Sequence, residues 1–231
     1  MNALWFSGGK DSLACLYLLE KEWANVIVLW ANTGKNFPEV LETVEMVRSL
    51  VPNFVEVKTD RDGQNFINGL PSQLVPVNCT VPGILATGKQ SSTLVQPMIQ
   101  CCFENIAQPL WRWCSENNIK TIYNGQRLEE SYKNQLRDGD AYCGFEIKHP
   151  IENWSKDDVM NYLSSKMEKP PEHLRFEHTS MDCFDCTAFL EHSKDRIEYM
   201  RTNHPEKFDI FASRFNALSS VINAELRHFQ I

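Results

Sequence analysis

The stretch FSGGKDSLA, beginning at Phe6, packs two glycines, a lysine, an aspartate and two serines into one short turn. Gly8 and Gly9 let a phosphate approach the main chain closely, and a helix starting there aims free N–H groups and a positive dipole end at the anion. Lys10 adds a mobile positive charge, Ser7 and Ser12 add hydroxyl donors, and Asp11 adds a carboxylate. The chemistry is that of a phosphate or pyrophosphate cradle. The plainer reading is a tight strand-to-helix turn with a polar cap. The apolar run Ala3 to Phe6 and the helical recurrence of Leu13, Leu16 and Tyr17 supply the strand and helix a cradle needs, and they favour it. The loop lacks the earlier glycine of a Walker A motif. Gly83 to Gln90 fits GxxxxGK, but Gln90 stands where a hydroxyl should bind the metal ion, so that match is coincidental.

The elements that must position this turn follow an alternating order. Val26 to Ala31 is apolar at consecutive positions, as in a strand covered on both faces, and a helix is expected from Pro38 to Leu50. Further strands are expected at Phe54 to Val57, Thr121 to Tyr123 and Phe145 to Ile147. A helix is expected from Pro97, at a first helical position, to Asn117, with a kink or restart at Pro109, and another after Ser155, its cap, with Asp157 and Asp158 in the first turn. Asp60 to Gln96 reads as a long loop region, and the tail as two helices broken near NHPEK. Strands alternating with helices imply an α/β fold with a doubly wound, mostly parallel sheet. Residues 1–190 are expected to form the domain that carries the glycine turn, and 191–231 its helical extension.

Composition narrows the function classes. At 42% hydrophobic and 23% charged residues the chain reads as a soluble globular protein, and no apolar run approaches the about 20 residues that span a bilayer. The N-terminus has no basic-then-apolar leader, so a cytoplasmic location is expected. A net charge of −7 does not favour nucleic acid as a partner. Eight cysteines without an export signal read as thiols or metal ligands rather than a disulfide framework, and Cys15, Cys114 and Cys143 are expected to be buried.

SGGKDS resembles the PP-loop of the adenine-nucleotide α-hydrolase-like superfamily, and in particular the phosphoadenosine phosphosulfate reductase family. Asn32 to Val40, NTGKNFPEV, is similar to that family's DTGxxFPET segment, with Asn32 in the Asp position. Asn124 to Ser131 keeps Gly125, Arg127 and Ser131 of GxRRxxS, with Leu128 at the second arginine, and Lys148 to Leu163 resembles HPIxxWxxxDVWxYL, with Met160 at the second tryptophan. The resemblance implies an adenosine nucleotide contacted by Ser7, Gly8, Gly9, Lys10, Asp11, Ser12, Asn32, Thr33, Gly34, Gly125 and Arg127, with Mg²⁺ accompanying ATP. Lys10, Asp11 and Arg127 are the implied catalytic residues.

Cys101 and Cys102, with Cys183 and Cys186, resemble the CC and CxxC pairs by which adenosine phosphosulfate reductases hold a [4Fe–4S] cluster. Adjacent thiolates on a helix point about 100° apart, which suits separate corners of a cubane better than one tetrahedral ion. Zinc held by Cys183, Cys186 and His178 or His192 is the competing assignment, and a redox disulfide at the CxxC a weaker one. The family's reductases attack with a cysteine in an ECGxH-like tail, and no cysteine follows Cys186. Adenylation or sulfur transfer is therefore the leading expectation. A reductase borrowing an external thiol or sulfur donor, and a nucleotide-sensing subunit of a nucleic-acid modification complex, are the alternatives.

Overall fold

The computed structural model describes residues 1–61, 66–67, 70–71, 101–130, 136–175, 183–186 and 194–228. Most of the expected loop region, with Gly83 to Gln90, and also the expected helix start at Pro97, His178 and His192, lie outside these. Six strands form one sheet in the order β3-β2-β1-β6-β8-β7: β1 (Asn2–Trp5), β2 (Val26–Asn32), β3 (Phe54–Lys58), β6 (Thr121–Asn124), β7 (Ala141–Tyr142) and β8 (Phe145–Lys148). Every pairing is parallel except β7 with β8. A separate two-residue pair, β4 (Phe66–Ile67) and β5 (Leu70–Pro71), is antiparallel.

The consecutive apolar residues of β2 divide by parity, because successive side chains of a strand point to opposite faces. Val28 and Trp30 join Leu4 of β1 in one core, while Leu29 and Ala31 join Ala3 in the other. The first core is covered by α1 (Lys10–Leu18), α2 (Pro38–Leu50), α4 (Lys156–Lys166) and the C-terminal helices α5 (Lys194–Asn203) and α6 (Pro205–His228); the second lies under α3 (Gln108–Glu116). Burial of Leu13 and Leu16 seats α1 on the sheet. Pro38 opens α2, where its missing N–H costs nothing. Ser155 caps α4 in a reciprocal capping box with Asp158, and α5 and α6 part at His204 as the tail pattern implies.

Three features depart from expectation. At Pro109 the α-helix restarts, Gln108–Glu116, but it does so out of a π-helical turn, Phe103–Ala107, in which the Gln108 N–H reaches the Phe103 carbonyl five residues back. Proline cannot donate, and the wider turn accommodates the missing bond without ending the helix. β7 was not expected; it forms a hairpin with β8 through Cys143 and Gly144, at φ 51° and 84°. Positive φ at both turn residues is the type I′ geometry that matches strand twist. Cys143 consequently stands exposed at the hairpin tip rather than buried, whereas Cys15 and Cys114 are buried as expected.

The sheet reverses its winding between β1 and β6, so the loops leaving these neighbours face one crevice at the carboxyl edge, where doubly wound sheets bind ligands. Gly125 makes that meeting close, since a Cβ there would lie 2.7 Å from the Asp11 carbonyl carbon and 2.8 Å from the Ser12 nitrogen. Gly125→Ala is therefore expected to cost about 1–3 kcal/mol by forcing β6 and α1 apart, to be read from denaturant midpoints of the two proteins.

Candidate functional site

Gly8 turns the chain at φ +81°, and a Cβ on it would also meet the Val40 side chain at 2.8 Å, so both conformation and packing require glycine. The turn is then held from within. The Ser7 N–H donates to Ser12 Oγ at 3.2 Å, the Ser12 hydroxyl donates to the Gly9 carbonyl at 3.0 Å, and the Gly9 N–H donates to Ser7 Oγ at 3.3 Å. The two hydroxyls the sequence offers as ligand donors thus shape the loop. Gly9 begins α1 without a side-chain cap. Among the described residues, the N–H groups of Gly8, Lys10 and Asp11 have no hydrogen-bond acceptor. A helix start of this kind presents donors and positive potential to an anion.

Charges are tethered around it. Lys10 Nζ lies 2.8 Å from Asp11 Oδ2, and Arg127 Nε donates to Asp11 Oδ1 at 2.9 Å. Arg127 Nη1 also binds Glu129, and the arginine side chain is only 5% exposed. The three expected catalytic residues are therefore brought together, with Arg127 as the anchor of Asp11 at the crevice wall. Asn32 is committed to structure: its amide donates to Glu56 Oε1 at 2.8 Å, and its Oδ1 accepts the Gly34 N–H at 2.8 Å. Thr33 follows, buried, at the end of β2.

The turn Cys183–Cys186 docks on that same segment. The Phe184 N–H donates to the Lys35 carbonyl at 2.9 Å, Thr33 Oγ1 lies 3.4 Å from Cys183 Sγ, and the Phe184 ring meets Phe37 edge-on at 6.3 Å between centroids. Arg196 of α5 donates to the Cys183 and Cys186 carbonyls at 3.3 and 2.8 Å. Between the cysteines, Asp185 is fully buried and accepts from Arg61 Nη2 at 2.6 Å. Burial alone would lower the Arg61 pKa, but the charges of Cys183, Asp185 and Cys101 outweigh it and hold the guanidinium above the usual arginine range. Cys101 and Cys183 therefore share one buried cation as neighbour. On the CC side, Asn105 is buried and its amide donates to the Cys101 carbonyl at 2.9 Å. All four cysteines are half-buried, and among the described residues no three His, Cys, Asp or Glu side chains are grouped so as to hold a metal ion.

Arg61, Asp185 and Arg196 carry no motif or periodicity; only Asp185's place inside the CxxC marks it. His173 is a further unforeseen neighbour: it is buried at 6% exposure, close to the Gly8 backbone. By contrast, Trp111 packs in an aromatic group with Trp5, Tyr142 and Phe145. His149 is buried and hydrogen-bonds the Asn124 carbonyl through Nδ1, as a structural histidine would.

Removing one partner of a buried ion pair strands the other charge. Asp185→Asn is expected to cost about 3–5 kcal/mol, while Arg61→Met combined with Asp185→Leu is expected to regain most of it. Urea denaturation of the three proteins checks both statements.

No helix among the described residues is long and apolar enough to cross a membrane. Among solved structures, the chain is similar in fold to a phosphoadenylyl-sulfate reductase from Candida auris in a phosphate complex, with a TM-score of 0.52 and 18% identity over 80% of this chain and 83% of that one. Candida glabrata FMN adenylyltransferase in complex with ATP gives 0.42 and 15% identity, over 70% of this chain and 45% of that one. The same enzyme with FMN and the ATP analogue AMPCPP gives 0.46 and 15%, over 82% and 53%. No curated protein matches the chain. The phosphoadenosine phosphosulfate reductase domain matches residues 1–189, and the chain belongs to that family.

Proposed function

We propose that the chain is a PP-loop enzyme that binds an adenosine nucleotide, ATP or an adenylyl sulfate, beside a [4Fe–4S] cluster and performs adenylation or sulfur transfer. The observation that carries this reading is the docking of Cys183–Cys186 on the segment after β2: Thr33 touches Cys183, and Lys35 accepts from Phe184. A nucleotide at the glycine turn would then have the Cys183–Cys186 pair as a neighbour along the same sheet edge. The Candida auris reductase was captured with phosphate, an anion of the kind this turn suits.

The donor types suit a cluster, although the structure does not group three of the four thiols as ligands. Cys101, Cys102, Cys183 and Cys186 supply four thiols, the usual complement for [4Fe–4S], and Arg61 offsets the negative charge that four thiolates bring. When bound, the cluster would supply electron or sulfur chemistry at this edge. The remaining roles fall to the chain. The N–H groups of Gly8, Lys10 and Asp11 would receive a pyrophosphate, with Mg²⁺ sharing its charge when the nucleotide is ATP. Lys10, held at 2.8 Å by Asp11, would stabilise the leaving phosphates without first having to be ordered. Arg127 would act as the positioning residue for Asp11.

Protein purified without oxygen is expected to carry iron and sulfide, to bind ATP or adenylyl sulfate, and to release pyrophosphate from ATP. Lys10→Ala is expected to weaken nucleotide binding about tenfold to a hundredfold, the value of one charge-assisted hydrogen bond. Sulfite release from adenosine phosphosulfate with an added thiol would move the assignment to a reductase, and tight binding without turnover to a sensor. A protein free of iron and sulfide would overturn the cluster, and one that binds no adenosine nucleotide would overturn the reading as a whole.

A further inference from the structure

A second concave site lies between α2 and α5, behind the glycine turn. It is a groove of about 570 Å³, walled by one face of α2, by Pro171–His173 and by the Tyr199 and Asn203 positions of α5. No residue of the cradle, Ser7 to Ser12, lines it.

The hydrogen-bond accounting of the groove is one-sided. Its neutral donors are already engaged: the Thr43 hydroxyl donates to the Glu39 carbonyl at 3.1 Å, and Asn203 donates an amide hydrogen to the Tyr199 carbonyl at 3.0 Å. The Tyr199 hydroxyl and His204 Nε2 both bind Glu39 Oε1. Two buried atoms at the wall have no partner, Glu39 Oε2 and His173 Nε2. Burial would raise the Glu39 carboxyl, but hydrogen bonds from Tyr199, the backbone and His204 outweigh it and keep it ionised. Burial lowers the His173 pKa, which leaves a neutral ring, and the Nδ1-protonated tautomer of that ring offers a lone pair at Nε2. Glu42 and Glu172 stand exposed at the rim, and among the described residues no lysine or arginine lines the groove.

A buried acceptor with no donor costs free energy, and the groove wall holds two, one of them on Glu39, beside the two further carboxylates of Glu42 and Glu172. We propose that it binds an aliphatic ammonium ligand, a small diamine or polyamine. A primary ammonium carries three donors and no acceptor, which complements this lining. A single metal ion does not, because the acidic and imidazole groups are not clustered as ligands. Met46 and Pro171 add apolar wall for methylenes, and the volume exceeds what one ammonium fills. A donor supplied to Nε2 would also fix the His173 ring with its proton on Nδ1, beside the Gly8 backbone, so occupancy of the groove bears on the cradle through one imidazole.

The test is calorimetry on the full chain without nucleotide, because polyamines bind free phosphates. Spermidine and 1,5-diaminopentane are the probes, with tetramethylammonium as a cation that has no N–H. Saturable binding of either amine, at least about tenfold weaker for Glu42→Gln combined with Glu172→Gln, is expected, together with a ligand-induced shift of the His173 ring nitrogen resonance in NMR. Both glutamates are exposed, so an unchanged melting temperature would show the variant folded. Nα-acetyl-lysinamide separates the sources: binding like the diamine assigns a partner's lysine side chain, and weaker binding assigns a free amine. No saturable binding of any amine, equal binding of tetramethylammonium, or an unchanged affinity in the double variant would overturn the proposal.

Discussion

Main chain meets main chain where β6 ends, and the arrangement of the site follows from that contact. Gly125 leaves room for the first turn of α1 at a distance no side chain would permit, and so brings two parallel neighbours of the sheet into one crevice. Two residues later Arg127 is within reach of Asp11, and Asp11 in turn holds Lys10. The order of these dependencies matters. A salt-bridged chain of three side chains can be ordered only if the two backbones that carry them are themselves fixed, and here the fixing is steric rather than electrostatic.

The opposite wall of the crevice is fixed differently. The CxxC turn is joined to the segment after β2 by backbone hydrogen bonding, ring packing and a buried ion pair. Because Arg61 and Asp185 are almost wholly shielded, neither can exchange its partner for water, and the pair has a narrow choice of geometry. That specificity is costly in isolation. It becomes useful where a turn rich in thiols has to be kept at one place on a sheet edge, and Arg196 adds a second guanidinium to the same turn through its carbonyls.

Much of this was legible in the residues, and the legible parts share a cause. The strand, glycine turn and amphipathic helix at the N-terminus, the Pro38 start of α2 and the Ser155 cap of α4 are local: each depends on residues within a few positions of one another. What escaped reading is either tertiary or hidden by an unusual residue. Arg61 finds Asp185 across most of the chain, and no spacing announces such a pair. The β7–β8 hairpin turns through Cys143 at positive φ, where asparagine would have been the signal, and β7 itself is two residues long. The restart at Pro109 was legible but the π-turn before it was not, because a proline reports a missing donor but does not say how the chain will absorb it.

The distribution of charge ties the two walls together. The protein is acidic overall, yet Lys10, Arg61, Arg127 and Arg196 all stand by loops at the carboxyl edge of the parallel strands, each tethered to a carboxylate or carbonyl. Tethering lowers the net potential of the crevice, which weakens long-range attraction for an anion. It also removes the entropy loss of ordering long cationic side chains when the anion arrives. For a site that must hold one nucleotide orientation, the second effect outweighs the first. Fixed dipoles and charges stabilise developing charge without reorganising, whereas free lysines would bind phosphate in many poses. Behind the turn the balance is reversed: Glu39, Glu42 and Glu172 line the groove there, and Glu39 is held by Tyr199 and His204 rather than by a lysine or arginine.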